Sequence, residues 1–452
     1  MEEIHILELL PSIVKESINK AKEIIISTKE TNFIKEKVVK SFSSNNILYH
    51  SDNLTAIKDL LNKEYDNTID LIYIDPPFLT MVDYKSRIEL WNKDKKEVIN
   101  YFAYNDIWEN GLREYLEMLT IRLYLMKELL SDIGTIYVHL DYRTVHYVKI
   151  IMDYIFQEGC FLNEVIWAYK SGGSSNKYFS RKHDNILVFS KTKEYIFNPQ
   201  KEKSYNRGLK PYGFKNVKEY KDNMGWHTIV NLKDVWNIDM VGRTSKERVS
   251  YATQKPEPLL DLIINASSNE GSIVADFFGG SGTTAVVSQN NNRQWILADK
   301  GNLSELTIRK RLGENGDKSY DILREESYEI ESELKIKSEK ILNENEIASI
   351  ILIKLKKYIF DINKLKMSKK HKDIVSDILK KDSISFIDYI SLSYKSDGNN
   401  EITVQELYRL PNKLKIDQEI EFIVDNKYIN EKLYLKVIDI FGNKMHKELI
   451  LK

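Results

Sequence analysis

Asp75-Pro76-Pro77-Phe78 sets a carboxylate, two prolines and an aromatic ring in succession. They directly follow Asp70-Leu71-Ile72-Tyr73-Ile74, a short, largely apolar run of strand composition. The two prolines remove two backbone donors and fix φ twice, while their carbonyl oxygens remain free to accept hydrogen bonds. In open α/β sheets ligands bind at the C-terminal ends of strands, which is where this turn falls. Asp75 can accept one proton of a planar amino group and the Pro76 carbonyl the other, with Phe78 against the ring that carries it. Adenine N6 and cytosine N4 both meet that description. A stiff surface turn with an incidental carboxylate has the same composition, so the tetrapeptide needs a second feature to decide its meaning.

That feature is Gly271-Ser272-Ile273-Val274-Ala275-Asp276-Phe277-Phe278-Gly279-Gly280-Ser281-Gly282-Thr283-Thr284, which reads as a strand, a glycine-rich turn and a helix. Glycines at such a turn let a cofactor approach the backbone. The run lacks the G-x-G-x-x-G spacing of a dinucleotide site, and no G-x-x-x-x-G-K-[ST] occurs, which argues against a pyrophosphate clamp and a nucleotide triphosphatase.

Together the two segments resemble the amino-group DNA methyltransferases of the permuted, or beta, type, in which D-P-P-[YF] precedes F-x-G-S-G. The resemblance points to the adenine-N6-specific members, related to the modification enzymes of restriction–modification systems. It implies Asp75, Pro76, Pro77 and Phe78 as catalytic residues and S-adenosylmethionine as cofactor. Phe278, Gly280, Ser281 and Gly282, with Asp276 ending the strand before them, match the cofactor turn. Leu48-Tyr49-His50-Ser51-Asp52-Asn53-Leu54 looks like the acidic segment near the cofactor adenine, with Asp52 its only carboxylate. Thr253-Gln254-Lys255-Pro256 looks like the helix-opening segment beside the methionine end, which brings in Lys255. Trp295-Ile296-Leu297-Ala298-Asp299 resembles the strand whose acidic end receives the ribose hydroxyls. The sequence departs from the pattern in two places: Phe78 stands where Tyr is frequent, which keeps stacking and loses a hydroxyl, and Asp299 stands where Glu is common.

The implied chemistry is direct methyl transfer to a flipped-out base in double-stranded DNA, with no covalent enzyme intermediate. C5-cytosine methylation needs an attacking cysteine, and the single cysteine, Cys160, lies outside any Pro-Cys motif. One cysteine also excludes an internal disulfide and a cysteine-based structural zinc. His139, Asp141 and His146 fall within eight positions but on different predicted elements, so no metal site is assigned. Asp141 suits either the target-base pocket, as the resemblance implies, or the N-cap of the following helix.

These residues need an α/β framework: a Rossmann-like methyltransferase core with a mostly parallel sheet, plus a C-terminal α+β accessory domain. Residues 1–44 read as an N-terminal helical extension, one or two helices with Pro11 at a boundary. Residues 45–312 read as the catalytic domain, with a helix from Leu112 to Leu130, a strand from Thr135 to Leu140 and a target-recognition segment over about 195–250. Leu79 to Trp108 is polar and reads as an irregular loop. Residues 313–452 read as helical to about Leu355 and then β, with strands at Glu419–Val424, Leu433–Ile438 and His446–Ile450. The resemblance does not cover this last part, which suits DNA wrapping, a dimer contact or a partner.

At 452 residues the chain can bury a large core. Lys plus Arg and Asp plus Glu both number 67, so overall charge decides nothing about DNA, which senses the local field. From Lys170 to Lys221, 13 basic residues face four acidic ones, interleaved with Tyr178, Phe179, Tyr195, Phe197, Tyr205, Tyr212 and Phe214. The start Met1-Glu2-Glu3 is acidic where a secretory signal is basic, and no run approaches 18 apolar residues, so a soluble cytoplasmic protein without a membrane segment is expected.

Other readings stay open at this level. One is cytosine-N4 methylation. Another is a modification or recognition subunit active only beside a restriction-subunit partner, and the accessory termini suit that partner or a homodimer. A third is a small-molecule enzyme on the same fold.

Overall fold

The computed structural model describes residues 5–27, 31–92, 95–242, 244–249, 251–325, 332–344, 348–395, 400–409, 414–429 and 431–451. The acidic start Met1-Glu2-Glu3 lies outside them.

The core is a run of parallel strands ordered Leu130–Leu140, Ile69–Ile74, Ile273–Asp276, Gln294–Ala298, Phe42–His50 and Lys318–Arg324. Both faces are covered, as continuous apolar strands require. On the Ile69–Ile74 strand, Ile72 and Ile74 pack with Ile57, Leu119 and Ile151 from the helices Asn53–Asn62, Gly111–Leu129 and Val145–Phe156. Leu71 and Tyr73 point the other way, against Leu259 and Ile263 of the helix Glu257–Ser267. The arrangement is the expected Rossmann-like α/β core. Antiparallel strands His183–Ser190 and Phe161–Ala168 extend it beyond Leu130–Leu140.

On the opposite side the sheet continues through the amino-terminal strand Ile34–Val38 and then the carboxy-terminal strands Glu401–Tyr408, Ile387–Lys395, Leu433–Asp439 and Lys444–Glu448, giving fourteen strands among the described residues. The amino-terminal segment is therefore one helix, Ile6–Ile26, followed by a strand. Pro11 sits inside that helix, where the hydrogen bond it forgoes belongs to the carbonyl of exposed Leu7.

Two further expectations are corrected. The described residues between 318 and 360 are mostly strand rather than helix: Lys318–Arg324 joins the main sheet, and Ser332–Glu344 with Ala348–Phe360 makes a long antiparallel pair joined by Glu419–Asp425. The Lys and Glu there suggested a helix, but Ile351, Ile353 and Leu355 are buried at period two. Asp83–Asn92 and Lys95–Asn105 form an antiparallel two-stranded pair, instead of an irregular loop. Its Ile88, Leu90 and Ile99 are buried in the carboxy-terminal core among Leu334, Ile351, Phe386 and Leu435.

A buried charge network ties the ends of the chain to the core. Glu36 accepts from Arg309, Arg324 and Lys436, all on different elements. Burial alone would raise the Glu36 pKa, but those three cations hold it well below the usual carboxylate range.

Candidate active site

A cavity of about 770 Å³ opens at the C-terminal edge of the parallel strands. Leu71 pairs with Val274 and Ile72 with Ala275, so Asp75 emerges beside the glycine turn after Asp276. Asp52, Asp75, Pro76, Pro77, Phe78, Lys255, Asp276, Phe278, Gly280, Ser281 and Asp299 all line the cavity. Gly282 does not; it lies under the turn at φ +75°, where a Cβ would meet Ile308 Cγ1 at 2.6 Å.

Lys255 Nζ donates to Asp75 Oδ2 and lies 5.4 Å from the Phe78 ring centroid. Asp75 Oδ1 is buried without a hydrogen-bond partner among the described residues. Phe78 rests on His139, with centroids 5.8 Å apart and planes tilted by 36°. His139 is fully buried, its Nδ1 2.9 Å from the Tyr73 hydroxyl and its Nε2 3.2 Å from Asp184 Oδ2. The partners suit a tautomer with Nε2–H donating to the carboxylate and Nδ1 accepting from the phenol. Tyr169 donates to the other oxygen of Asp184 at 3.1 Å. His146 is exposed, and Asp141 accepts from the Arg143 amide at 2.9 Å and from its guanidinium, so these residues do not converge with His139. Asp141 also fails to cap the next helix, whose N-cap position is Thr144. Among the described residues no group of His, Cys, Asp or Glu is arranged to hold a metal.

The glycine turn is held by two carboxylates. Asp299 accepts from the Gly280 amide at 2.8 Å and the Gly301 amide at 2.7 Å. Asp276 accepts from the Phe278 amide at 2.9 Å and the Thr284 hydroxyl at 2.6 Å. Burial pushes the Asp276 pKa up to about 7 against these bonds, and burial likewise raises Asp299. Asp52 caps the helix Asn53–Asn62 through the Leu54 amide at 2.9 Å and accepts from Arg122 at 3.0 Å. Asn53 donates to the Phe277 carbonyl at 3.0 Å, joining that helix to the turn.

Several contributors are not legible in the sequence. Asp106, fully buried, accepts from the amides of Leu79 at 3.1 Å and Thr80 at 2.7 Å, from the Thr80 hydroxyl at 2.6 Å and from the Trp108 indole at 2.9 Å. It fastens the backbone immediately after Phe78, where Leu79 stands at φ +56°. Arg311 donates to the Ser281 carbonyl at 3.0 Å, the Thr283 hydroxyl at 2.9 Å and Glu257 at 2.6 Å, locking the turn to the segment that carries Lys255. The strand pair Asp83–Asn92 with Lys95–Asn105 contributes Tyr84 and Tyr104, stacked at 4.7 Å, and the carboxy-terminal part contributes Lys366 and Phe441 to the cavity wall. The alternation of Ile88 and Leu90 was the one available sign of that pair.

Residues 69–306, just over half of the chain, match the model of the N6_N4_Mtase family, described as DNA methylase. Type II methyltransferase M.HpaI of Haemophilus parainfluenzae is 33% identical over 252 residues, covering 54% of this chain and 68% of that protein. The Mod subunit of the Type III restriction-modification enzyme StyLTI of Salmonella typhimurium is 27% identical over 396 residues, covering 67% of this chain and 59% of that protein. Among solved structures, the M1.HpyAVI-SAM complex is 20% identical with a TM-score of 0.38, covering 59% of this chain and 98% of that one. Among the described residues no helix is long and apolar enough to cross a membrane. With a family model matched across the strands that lead to Asp75, Asp276 and Asp299 and the segment that carries Lys255, the chain belongs to the DNA methylase family and is an S-adenosylmethionine-dependent DNA methyltransferase.

Proposed function

We propose that this chain methylates the N6 amino group of adenine in double-stranded DNA, at a nucleotide turned out of the duplex into the cavity. The observation that carries the reading is the buried Asp75 Oδ1, without a hydrogen-bond partner among the described residues, on the turn that also carries Phe78 into the cavity wall. An exocyclic amine brings two N–H donors, and its lone pair is delocalised into the ring. Asp75 Oδ1 takes one proton and the Pro76 carbonyl the other. Both favour positive charge on nitrogen as it attacks, and both fix the direction of the lone pair. Phe78 stacks on the extruded base, worth about 1–3 kcal/mol toward the cost of leaving the helix. The amine proton departs during or after attack. The resemblance of the D-P-P-F motif favours adenine, because in the family it resembles Asp at this position leans toward adenine and Ser toward cytosine.

S-adenosylmethionine supplies the electrophilic methyl group when bound. The residues around the glycine turn fit it: Gly280 is at φ +49° with its Cβ side open to within 3.6 Å of Tyr251, so the backbone is approachable there. Asp299 and Asp52 retain acceptor capacity beyond the bonds they already make, since a carboxylate has about four lone-pair sites. Asp52, Lys255, Asp276, Phe278, Gly280, Ser281, Gly282 and Asp299 are the assigned holders, with Asp276 and Gly282 acting through the shape of the turn.

Nucleoside analysis of DNA methylated by the purified chain tests the assignment. N6-methyladenine is expected, and N4-methylcytosine would replace it by the rival reading. The similarity to a Type III Mod subunit supports a second arrangement, a modification subunit paired with a restriction subunit. Methylation by the purified chain alone would remove the need for that partner.

A further inference from the structure

We propose that Phe179 is the wedge that enters the duplex at the step from which the target nucleotide is withdrawn. The inference rests on the DNA methyltransferase assignment and is independent of which base is methylated.

Phe179 is 101% exposed, the side chain fully in water. It sits on the excursion between the strands Phe161–Ala168 and His183–Ser190, whose neck is closed by the Tyr169 amide on the Lys182 carbonyl at 2.9 Å. Lys182 Nζ donates to the carbonyls of Ser171 and Gly172 at 3.0 and 2.8 Å, bracing one side of the loop. The other side is ordered by stacking. Arg181 lies 3.8 Å from the Tyr142 ring and 4.7 Å from the Tyr178 ring, and Arg143 lies 4.9 Å from Tyr142. Phe179 thus projects from a braced, cationic base rather than from a slack loop.

Its place in the sheet aligns it with the catalytic turn. Leu140 pairs with Asn185 and Val138 with Ile74, so the loop neck and Asp75 lie at the same edge, two strands apart. Asp184, next to the neck, holds His139, on which Phe78 rests. A base drawn onto Phe78 leaves an unstacked gap in the duplex, and apolar side chains inserted between base steps are the known physical answer to such a gap. The Arg181 guanidinium, already stacked on Tyr142 and Tyr178, meets a flanking phosphate without further ordering, while Arg143, paired with Asp141, steadies the Tyr142 ring beneath it.

The test uses the full-length chain, tritiated S-adenosylmethionine and two duplexes carrying its mapped modification site, one fully paired and one with an abasic position opposite the target base. Phe179→Ala is expected to lose about tenfold or more in kcat/KM on the paired duplex and to recover to near the unaltered level on the abasic one, where extrusion costs little. Phe179→Leu should keep most of the activity on both. An unchanged rate on the paired duplex, or the same loss on both duplexes, would overturn the proposal. Incorporated tritium reports any methylated base, so a cytosine product would correct the base assignment without affecting this outcome.

Discussion

Lys255 occupies one carboxylate oxygen of Asp75, and the other, Oδ1, is buried with no hydrogen-bond partner among the described residues. The ion pair therefore orients the carboxylate and keeps one acceptor available. Asp75→Ala removes both acceptors and is expected to lower methylation by about 10²–10³-fold or more, to below detection in most assays. Cofactor affinity, measured by calorimetry, should stay within a few-fold. Retained turnover would sink the catalytic assignment.

The glycine turn separates two effects that a loss of activity alone would merge. Gly282→Ala puts a methyl 2.6 Å from Ile308 at φ +75°, so it should cost about 1–3 kcal/mol in chemical unfolding. A Cβ at Gly280 makes ordinary contacts, 3.6 Å from Tyr251 and 3.7 Å from the Phe278 carbonyl oxygen, and Asp tolerates a positive φ, so Gly280→Asp fits the turn. It should leave unfolding nearly unchanged and weaken cofactor binding; equal affinity would count against the turn as the cofactor's cradle.

Asp106 touches no reacting group in the proposed chemistry and acts through the backbone after Phe78. Asp106→Ala leaves the Leu79 and Thr80 amides and the Trp108 indole without their acceptor, at about 1–3 kcal/mol for each buried donor that water cannot reach. Because the loop it releases carries the base-stacking ring, kcat should fall by about 10²-fold while KM for S-adenosylmethionine changes little. A parallel rise in KM would indicate general unfolding of the site.

Asp276 gives a pH signature with a definite sign. Its folded pKa of about 7 stands above the ordinary carboxylate value, so between roughly pH 4 and pH 7 the folded state binds the extra proton. This group's contribution to stability therefore declines as pH rises through that window and levels off above it. In Asp276→Asn the decline disappears, so the variant's Tm relative to the unaltered chain should rise from pH 5 to pH 8. A constant difference across that range would contradict the burial assigned to this carboxyl.

Glu36→Ala leaves Arg309, Arg324 and Lys436 around a missing anion, and a loss of about 3–5 kcal/mol is expected in denaturant unfolding. A loss below about 1 kcal/mol would mean that the cations are compensated from elsewhere.

The carboxylates at element ends were legible: Asp276 ends the strand Ile273–Asp276, Asp75 and Asp299 directly follow Ile69–Ile74 and Gln294–Ala298, Asp52 stands before the helix Asn53–Asn62, and all four line one cavity. The reading from sequence failed where a residue's partner is remote. Glu36 lies in Ile34-Lys35-Glu36-Lys37-Val38, polar in composition, yet its cations arrive from 273, 288 and 400 positions away. The strand pair Asp83–Asn92 with Lys95–Asn105 looked irregular because the apolar residues it buries face a carboxy-terminal core rather than the catalytic one. In the strands Ser332–Glu344 and Ala348–Phe360 lysine and glutamate, with helical propensity of their own, take many of the less buried positions, which gives the sequence a helical look.

The sheet's continuity across the chain has a consequence for its synthesis. The strand Ile34–Val38 leaves the ribosome early, but its neighbours are Lys318–Arg324 and Glu401–Tyr408, and the last cation for Glu36 is Lys436. A nascent chain therefore holds that strand without its sheet neighbours, and Glu36 without its last cation, until the carboxy-terminal part has been made.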